Sequence, residues 1–285
     1  MPRLKAWEGY NLHSTLAPSF VRALFERKGD SYVKIAGRSK GAVMYQEGRY
    51  VVGKMCSVEE LNYWSGLWLS RQLVEEKAPL LADMHRDLGL SISPYDKHLI
   101  FIAVFLSRAT SWEINVLRWC RAIFARTDNP EELLQLDFSQ LGKSFQLRQL
   151  HEALNEYATV ACISDAGELR ARLLGIKYVG PKLADAYLLF SGIDTSAAPV
   201  DRHVLRMAAR LGLSSVPPKK ELCTRCSCTK CPVSGSCLRF QLTKLYGSAA
   251  GWVQTAFYVH DTMFCARKAC GPCILFKVCK YTSLR

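Results

Sequence analysis

The sequence predicts a mainly α chain of the α+β class, with an N-terminal antiparallel β domain and a cysteine-rich lobe at its end. Three observations predict it. The first 55 or so residues carry short runs of period-two alternation around a Glu-Gly turn. From Ser57 onward, capping boxes precede apolar runs at helical spacing. Nine of the 12 cysteines lie in the last 63 residues. Of the 285 residues, 49% are hydrophobic, enough to bury a sizeable core in two or three modules. The expected organisation is 1–92 as sheet plus helix, 93–215 as a helical core, and 216–285 as the cysteine lobe with a returning helix.

The elements follow in order. Ser31-Tyr32-Val33-Lys34-Ile35-Ala36 and Ala42-Val43-Met44-Tyr45-Gln46 alternate as strands do, Glu47-Gly48 turns, and Arg49-Tyr50-Val51-Val52-Gly53 returns. Ser57-Val58-Glu59-Glu60 is a capping box, so a helix follows with Leu61, Trp64, Leu67 and Trp68 on its apolar face. From about Pro94 the chain reads as helical. Lys97 to Ser107 is nearly all apolar, hence a buried helix. Thr110-Ser111-Trp112-Glu113 reads as a second capping box, opening a helix to about Arg126. Asn129-Pro130 starts a short helix, Phe145 to Tyr157 forms another, and Gly167 to Leu174 leads into a hairpin.

Lys182 and Asp201 stand nineteen residues apart, each at a position that suits chemistry. Pro181 can open a helix, since the first helical position needs no N–H. Lys182 then lies in the first turn, where the helix dipole disfavours its ammonium by a few tenths of a kcal/mol to ~1 kcal/mol. The same field makes a nucleophilic amine easier to reach. Asp201 precedes Val204, Leu205, Ala208 and Leu211 and reads as the N-cap of that helix.

The net charge of +13 and isoelectric point near 9.2 predict a polyanionic partner, nucleic acid rather than a membrane. The most apolar run, Leu99 to Leu106, is too short to span a bilayer. The start, Met1-Pro2-Arg3-Leu4-Lys5-Ala6-Trp7, has no apolar segment of signal-peptide type, so an intracellular location is expected. There the clustered cysteines favour metal over disulfides. Cys265, Cys270, Cys273 and Cys279 share one spacing with Cys223, Cys228, Cys231 and Cys237, and Cys226 is an extra thiol. Four thiolates this close together can surround zinc or a [4Fe–4S] cluster. Cys56, Cys120 and Cys162 are scattered and read as packing residues.

Val179-Gly180-Pro181-Lys182 followed by Val200-Asp201-Arg202-His203 resembles the helix-hairpin-helix, Gly/Pro-Asp superfamily of DNA glycosylases. The resemblance covers roughly residues 95 to 285. It implies that Lys182 attacks the sugar C1′ of a damaged nucleotide and that Asp201 assists. It departs at Lys177-Tyr178, where the family has Pro-Gly. Backbone N–H groups of Val179 and Gly180 are expected to bind a phosphate, and His203 to reach a phosphate or make a cap contact. Leu106-Ser107-Arg108-Ala109-Thr110 resembles the family loop that fills the hole left by a flipped base, making Arg108 the candidate wedge. Phe264 to Cys273 looks like the endonuclease III iron–sulfur loop with its first gap two residues shorter. It implies [4Fe–4S] on Cys265, Cys270, Cys273 and Cys279; the upstream set is open between a second [4Fe–4S] cluster and zinc. Arg267 and Lys268 are either phosphate contacts or a solvated loop. The N-terminal sheet is similar to that of the 8-oxoguanine and alkylpurine branches, which endonuclease III-type members lack. Asp185-Ala186 follow Lys182 as Asp-Cys does in eukaryotic 8-oxoguanine glycosylases, without the sulfur. Trp112, Tyr187, Trp252, Phe257 and Tyr258 are candidates for base stacking or for the core.

The function expected is a bifunctional DNA glycosylase/AP lyase of base excision repair, with 8-oxoguanine the favoured base. It would act as a monomer on double-stranded DNA containing a damaged base. The alternatives are an oxidised-pyrimidine lyase of endonuclease III type, a catalytically silent metal-stabilised DNA-binding module, and a zinc-ribbon protein–protein adaptor.

Overall fold

The structure, a computed structural model, describes residues 1–214 and 216–280. Five antiparallel strands form its sheet: β1 (Arg3–Lys5), β2 (Phe25–Lys28), β3 (Ser31–Lys34), β4 (Val43–Glu47) and β5 (Tyr50–Lys54), in the order β1-β5-β4-β3-β2. The central hairpin turns at Gly48, whose φ of +57° suits glycine, and pairs Glu47 with Tyr50 and Tyr45 with Val52. β1 and β2 fall outside the three strands expected. Three residues are too few to show alternation, and Phe-Glu-Arg-Lys carries one apolar residue in four.

Helix α1 (Val58–Ser65) starts at the expected capping box, with Ser57 and Glu60 each accepting the other's backbone N–H. It stops at Gly66, where φ is +71° and a Cβ would come within 2.5 Å of the Leu90 backbone nitrogen. Leu67 and Trp68, expected on its face, therefore lie beyond it. Trp68 instead donates its indole N–H to the Leu90 carbonyl at 2.7 Å.

Helix α2 (Lys97–Leu106) is buried from Leu99 to Leu106, as its apolar sequence predicts. A buried ion pair ties it to the sheet. Lys34, on β3, donates its ammonium to Asp96 at 2.8 Å, and both side chains are buried. Asp96 also accepts from Ser93 Oγ at 2.7 Å and from the Arg38 backbone N–H at 2.7 Å.

The second capping box does not form. Ser111, not Thr110, is the cap, accepting from the Ile114 N–H. Glu113 is drawn off to pair with Arg22. The first turn, Trp112–Val116, is π-helical before α3 (Leu117–Phe124) continues it. Pro130–Gln135 is the short helix expected after Asn129. Then come α4 (Phe145–Ala158), α5 (Ala166–Gly175), α6 (Pro181–Phe190) and α7 (Arg202–Arg210). After the first cysteine segment the chain returns through α8 (Leu238–Tyr246) and α9 (Ala250–His260). Buried apolar side chains from Ala6 to Leu275 form one continuous core under all of these. No described helix is long and apolar enough to cross a membrane.

A lysine–aspartate cleft as the candidate active site

α5, the turn 176–180 and α6 make the hairpin. The turn needs left-handed backbone at Tyr178, where φ is +66°. This is the position at which the sequence departs from glycine, and a bulky residue there stores on the order of 1–3 kcal/mol of strain. Its ring lies 5.5 Å from the Arg108 guanidinium. Gly180 caps α6, Pro181 takes the first helical position, and Lys182 follows in the first turn, as expected. Asp201 caps α7, its Oδ1 accepting from the N–H groups of His203 and Val204, each at 2.9 Å.

Lys182 and Asp201 line one cleft of about 800 Å³. Its remaining walls come from five regions: Pro18 and Phe20 near the sheet, Ser107 and Ala109 to Glu113 after α2, Ala186 and Phe190 on α6, Pro199, Arg202 and His203 around Asp201, and Gln254, Thr255, Tyr258 and Thr262 on and after α9. Phe20 meets Trp112 edge-on at 5.1 Å and Phe190 likewise at 5.1 Å, giving an aromatic wall. Burial pulls the Lys182 ammonium below the ordinary lysine range. The Asp201 carboxylate opposes that shift and the Arg202 cation adds to it. A half-buried primary amine held this way, beside a carboxylate and an aromatic slot, can act as a nucleophile on a planar, charge-poor ligand.

His203 also lines the cleft, but both ring nitrogens are engaged. Nδ1 lies 2.7 Å from Asp261 Oδ2, and Nε2 accepts from Arg202 Nε at 3.2 Å. Arg206 holds the same Asp261 oxygen. The structure thus places His203 in a clasp between α7 and the end of α9. Val179 differs from its expected part. Its side chain is buried, its N–H donates to the Ile176 carbonyl at 3.2 Å, and its own carbonyl accepts Lys220 Nζ at 2.7 Å. Gly180 remains open, since a Cβ there would meet nothing within 4 Å.

Arg108 also departs from expectation. It folds back rather than projecting, its Nε donating to the Phe105 carbonyl at 3.0 Å and its guanidinium lying 3.8 Å from the Phe105 ring centre. Phe145 and Tyr178 flank it, and its Nη2 is buried with no partner. Ser107, Ala109 and Thr110 of that loop line the cleft instead, and Ala109 is exposed at φ +46°.

Of the five aromatic candidates, Trp112 and Tyr258 line the cleft; Tyr187, Trp252 and Phe257 are core. Tyr187 pairs its hydroxyl with that of Tyr157 at 2.9 Å, and Trp252 donates to the Leu88 carbonyl at 2.8 Å. Sequence reasoning missed Phe20, Glu113, Arg202 and Gln254. Gln254 had a signal: it is the one amide in the otherwise largely apolar Ala250–His260 stretch. Trp112 Nε1 is buried without a partner.

Ala186 lines the cleft, whereas Asp185 is fully buried and does not. There it accepts from Arg170 through both oxygens, at 2.6 and 3.0 Å, and from Arg239 Nε at 2.7 Å. Arg239 Nη1 continues to Cys228 Sγ at 3.0 Å, and Arg170 Nη2 lies 3.9 Å from Cys223 Sγ. Cys226 Sγ donates to the Leu222 carbonyl at 3.3 Å and shares a thiol hydrogen bond with Cys231, both cysteines being free, and Cys237 is buried. In the last segment, Cys265, Cys270, Cys273 and Cys279 line one small cavity of about 50 Å³ with His260 and Met207. Cys273 Sγ is 3.3 Å from His260 Nε2, and His260 Nδ1 is 3.1 Å from His85 Nε2. Among the described residues, no three His, Cys, Asp or Glu side chains already converge as a metal site. Arg267 and Lys268 are exposed in the turn between Cys265 and Cys270.

A scan of family models and a search of curated proteins each find no match. Solved structures do match in fold. The Clostridium acetobutylicum 8-oxoguanine glycosylase/lyase, in complex with double-stranded DNA containing cytosine opposite 8-oxoG, is 18% identical. It aligns with a TM-score of 0.67 over 90% of this chain and 93% of that one. MBOgg1 in complex with a low-affinity DNA ligand gives 17% and 0.66, over 92% of this chain and 95% of that one. The 3-methyladenine DNA glycosylase from Archaeoglobus fulgidus gives 15% and 0.65, over 93% and 99%. The chain shares the fold of these DNA glycosylases along nearly its whole length.

Proposed function

We propose that this chain is a DNA glycosylase with AP lyase activity that removes an oxidised base, 8-oxoguanine first, from double-stranded DNA as a monomer. The observation that carries the reading is Lys182, its ammonium disfavoured by burial, lining one cleft with Asp201 and an aromatic wall. A base attacked at its sugar must leave the stack, which costs a few kcal/mol. The cleft could receive it among Phe20, Trp112, Phe190 and Tyr258, with Gln254 available for hydrogen bonding. The neutral Lys182 Nζ would then attack C1′. The C1′–N bond breaks, the base leaves with the electron pair and takes up a proton, and Nζ loses one. Sugar ring opening gives a Schiff base. Loss of a 2′ proton then expels the 3′ phosphate and nicks the strand. Asp201, fixed by its two cap bonds, would accept the amine proton or stabilise the positive sugar.

The preference for 8-oxoguanine rests on the N-terminal sheet and on the likeness in fold to an 8-oxoguanine glycosylase/lyase. The downstream cysteines support a [4Fe–4S] cluster held by Cys265, Cys270, Cys273 and Cys279, since four thiols line one cavity. Such a cluster would stabilise a lobe that has little core of its own. Those same cysteines support thymine glycol as the second candidate base.

The test uses labelled duplexes carrying 8-oxoguanine, thymine glycol, uracil, hypoxanthine or an abasic site, with borohydride present. A covalent complex on the 8-oxoguanine duplex, absent in Lys182→Ala, is expected. Trapping only on thymine glycol would move the substrate to the pyrimidine class. No complex on any duplex, with DNA binding intact, would overturn the lyase.

A further inference from the structure

Arg170, Asp185 and Arg239 do not add up as a closed set. Two guanidiniums share one carboxylate, and all three side chains are nine-tenths buried or more. Arginine stays protonated in proteins, so the trio carries one uncompensated positive charge inside the fold. No other carboxylate bonds to either arginine among the described residues. What the spare N–H groups meet is sulfur: Cys228 at 3.0 Å from Arg239, and Cys223 at 3.9 Å from Arg170. Neutral thiols are weak acceptors and leave the excess charge in place. Thiolates on a metal would more than offset it, because four of them around a divalent ion or a [4Fe–4S]²⁺ core carry a net charge of about −2 against the +1 of the trio.

We propose that Arg170, Asp185 and Arg239 form a buried bridge that docks an anionic four-thiolate metal centre, held by Cys223, Cys228, Cys231 and Cys237, onto α6. Asp185 is three residues from Lys182 on the same helix. The metal lobe would therefore be fixed to α6 within one helical turn of the amine that the same helix presents to the cleft. Hydrogen bonds from Arg to metal-bound sulfur are charge-assisted and directional, so they hold orientation as well as charge. Arg170 and Arg239 act here as positioning residues; neither lines the cleft.

The experiment uses the full chain purified without oxygen, and its readouts do not involve base excision. Failure here would leave the lyase proposal standing, and failure of borohydride trapping would leave this one standing. Iron, acid-labile sulfide and zinc are counted per chain in wild type, Cys228→Ser and Cys270→Ser. Cys228→Ser should lose one whole centre that Cys270→Ser retains; iron with sulfide or zinc identifies which group it was. If Cys228→Ser loses no metal, the proposal is wrong. The charge argument is read from metal loss to a chelator. Arg239→Gln should lose that centre at least tenfold faster than wild type, and Arg239→Lys, which keeps the charge, should stay within about threefold. Equal lability of the two variants would overturn the bridge. Amide exchange along Pro181–Phe190 should also rise at least tenfold in Cys228→Ser while β4 and β5 stay protected. Unchanged exchange in α6 would overturn the docking. Should Arg239→Gln not fold, the metal count of wild type against Cys228→Ser still decides.

Discussion

At the scale of single residues, the Lys182 amine sets the pH behaviour. Only the neutral amine attacks carbon, so the trapping rate should climb with pH and level off above the lysine's own pKa. Burial places that plateau below the 10.5 of an ordinary lysine. Arg202 lowers the amine's pKa and Asp201 raises it. Arg202→Gln should therefore move the profile to higher pH. Asp201→Asn should move it to lower pH, with a smaller maximum because the assisting carboxylate is gone. Borohydride trapping against pH checks both, and shifts in the opposite sense would mean that another group controls the step. The Lys182–Asp201 pair was legible in the sequence because each residue sits at a helix start with its own local rule. The folded-back position of Arg108 was not legible, because it depends on Phe105, Phe145 and Tyr178, two of them far along the chain. Phe20 enters the cleft only through the fold, whereas Gln254 stood out as the one amide in its largely apolar stretch.

At the scale of elements, the ion pair between β3 and the start of α2 deserves most weight. Burial alone pulls the Lys34 ammonium below its ordinary range, and Asp96 opposes that. Breaking a buried pair leaves a bare charge, so Asp96→Ala should destabilise the fold by about 3–5 kcal/mol. Lys34→Met combined with Asp96→Leu should recover much of that loss, because the uncompensated charge is removed. Urea melts of the single and double variants check this; equal losses in both would mean that packing, not charge, dominates. α2, α4 and the start of α7 were read nearly to the residue, whereas α1 was read at its capped start but ends before Leu67 and Trp68. The strand β2 was not, because its partner β3 makes it a strand, not its own composition. The start before α3 was displaced by one residue because Glu113 finds Arg22, a partner from the other end of the chain.

At the scale of the molecule, the surplus of 13 positive charges predicts binding dominated by phosphate contacts. Affinity for an undamaged duplex should fall steeply with salt, with a log–log slope of roughly −0.9 for each phosphate neutralised. A flat dependence, measured by anisotropy between low and physiological salt, would favour the adaptor reading over DNA. The overall class was legible in composition and period. The union of sheet, helices and last turns into one core was not, since it is a property of long-range contacts. Leu275 belongs to the same buried cluster as Ala6, and the turn Ile274–Val278 packs against the helix Pro79–Met84. As the chain is synthesised, residues near 80 must therefore wait, with apolar side chains uncovered, until residues 274–278 have left the ribosome.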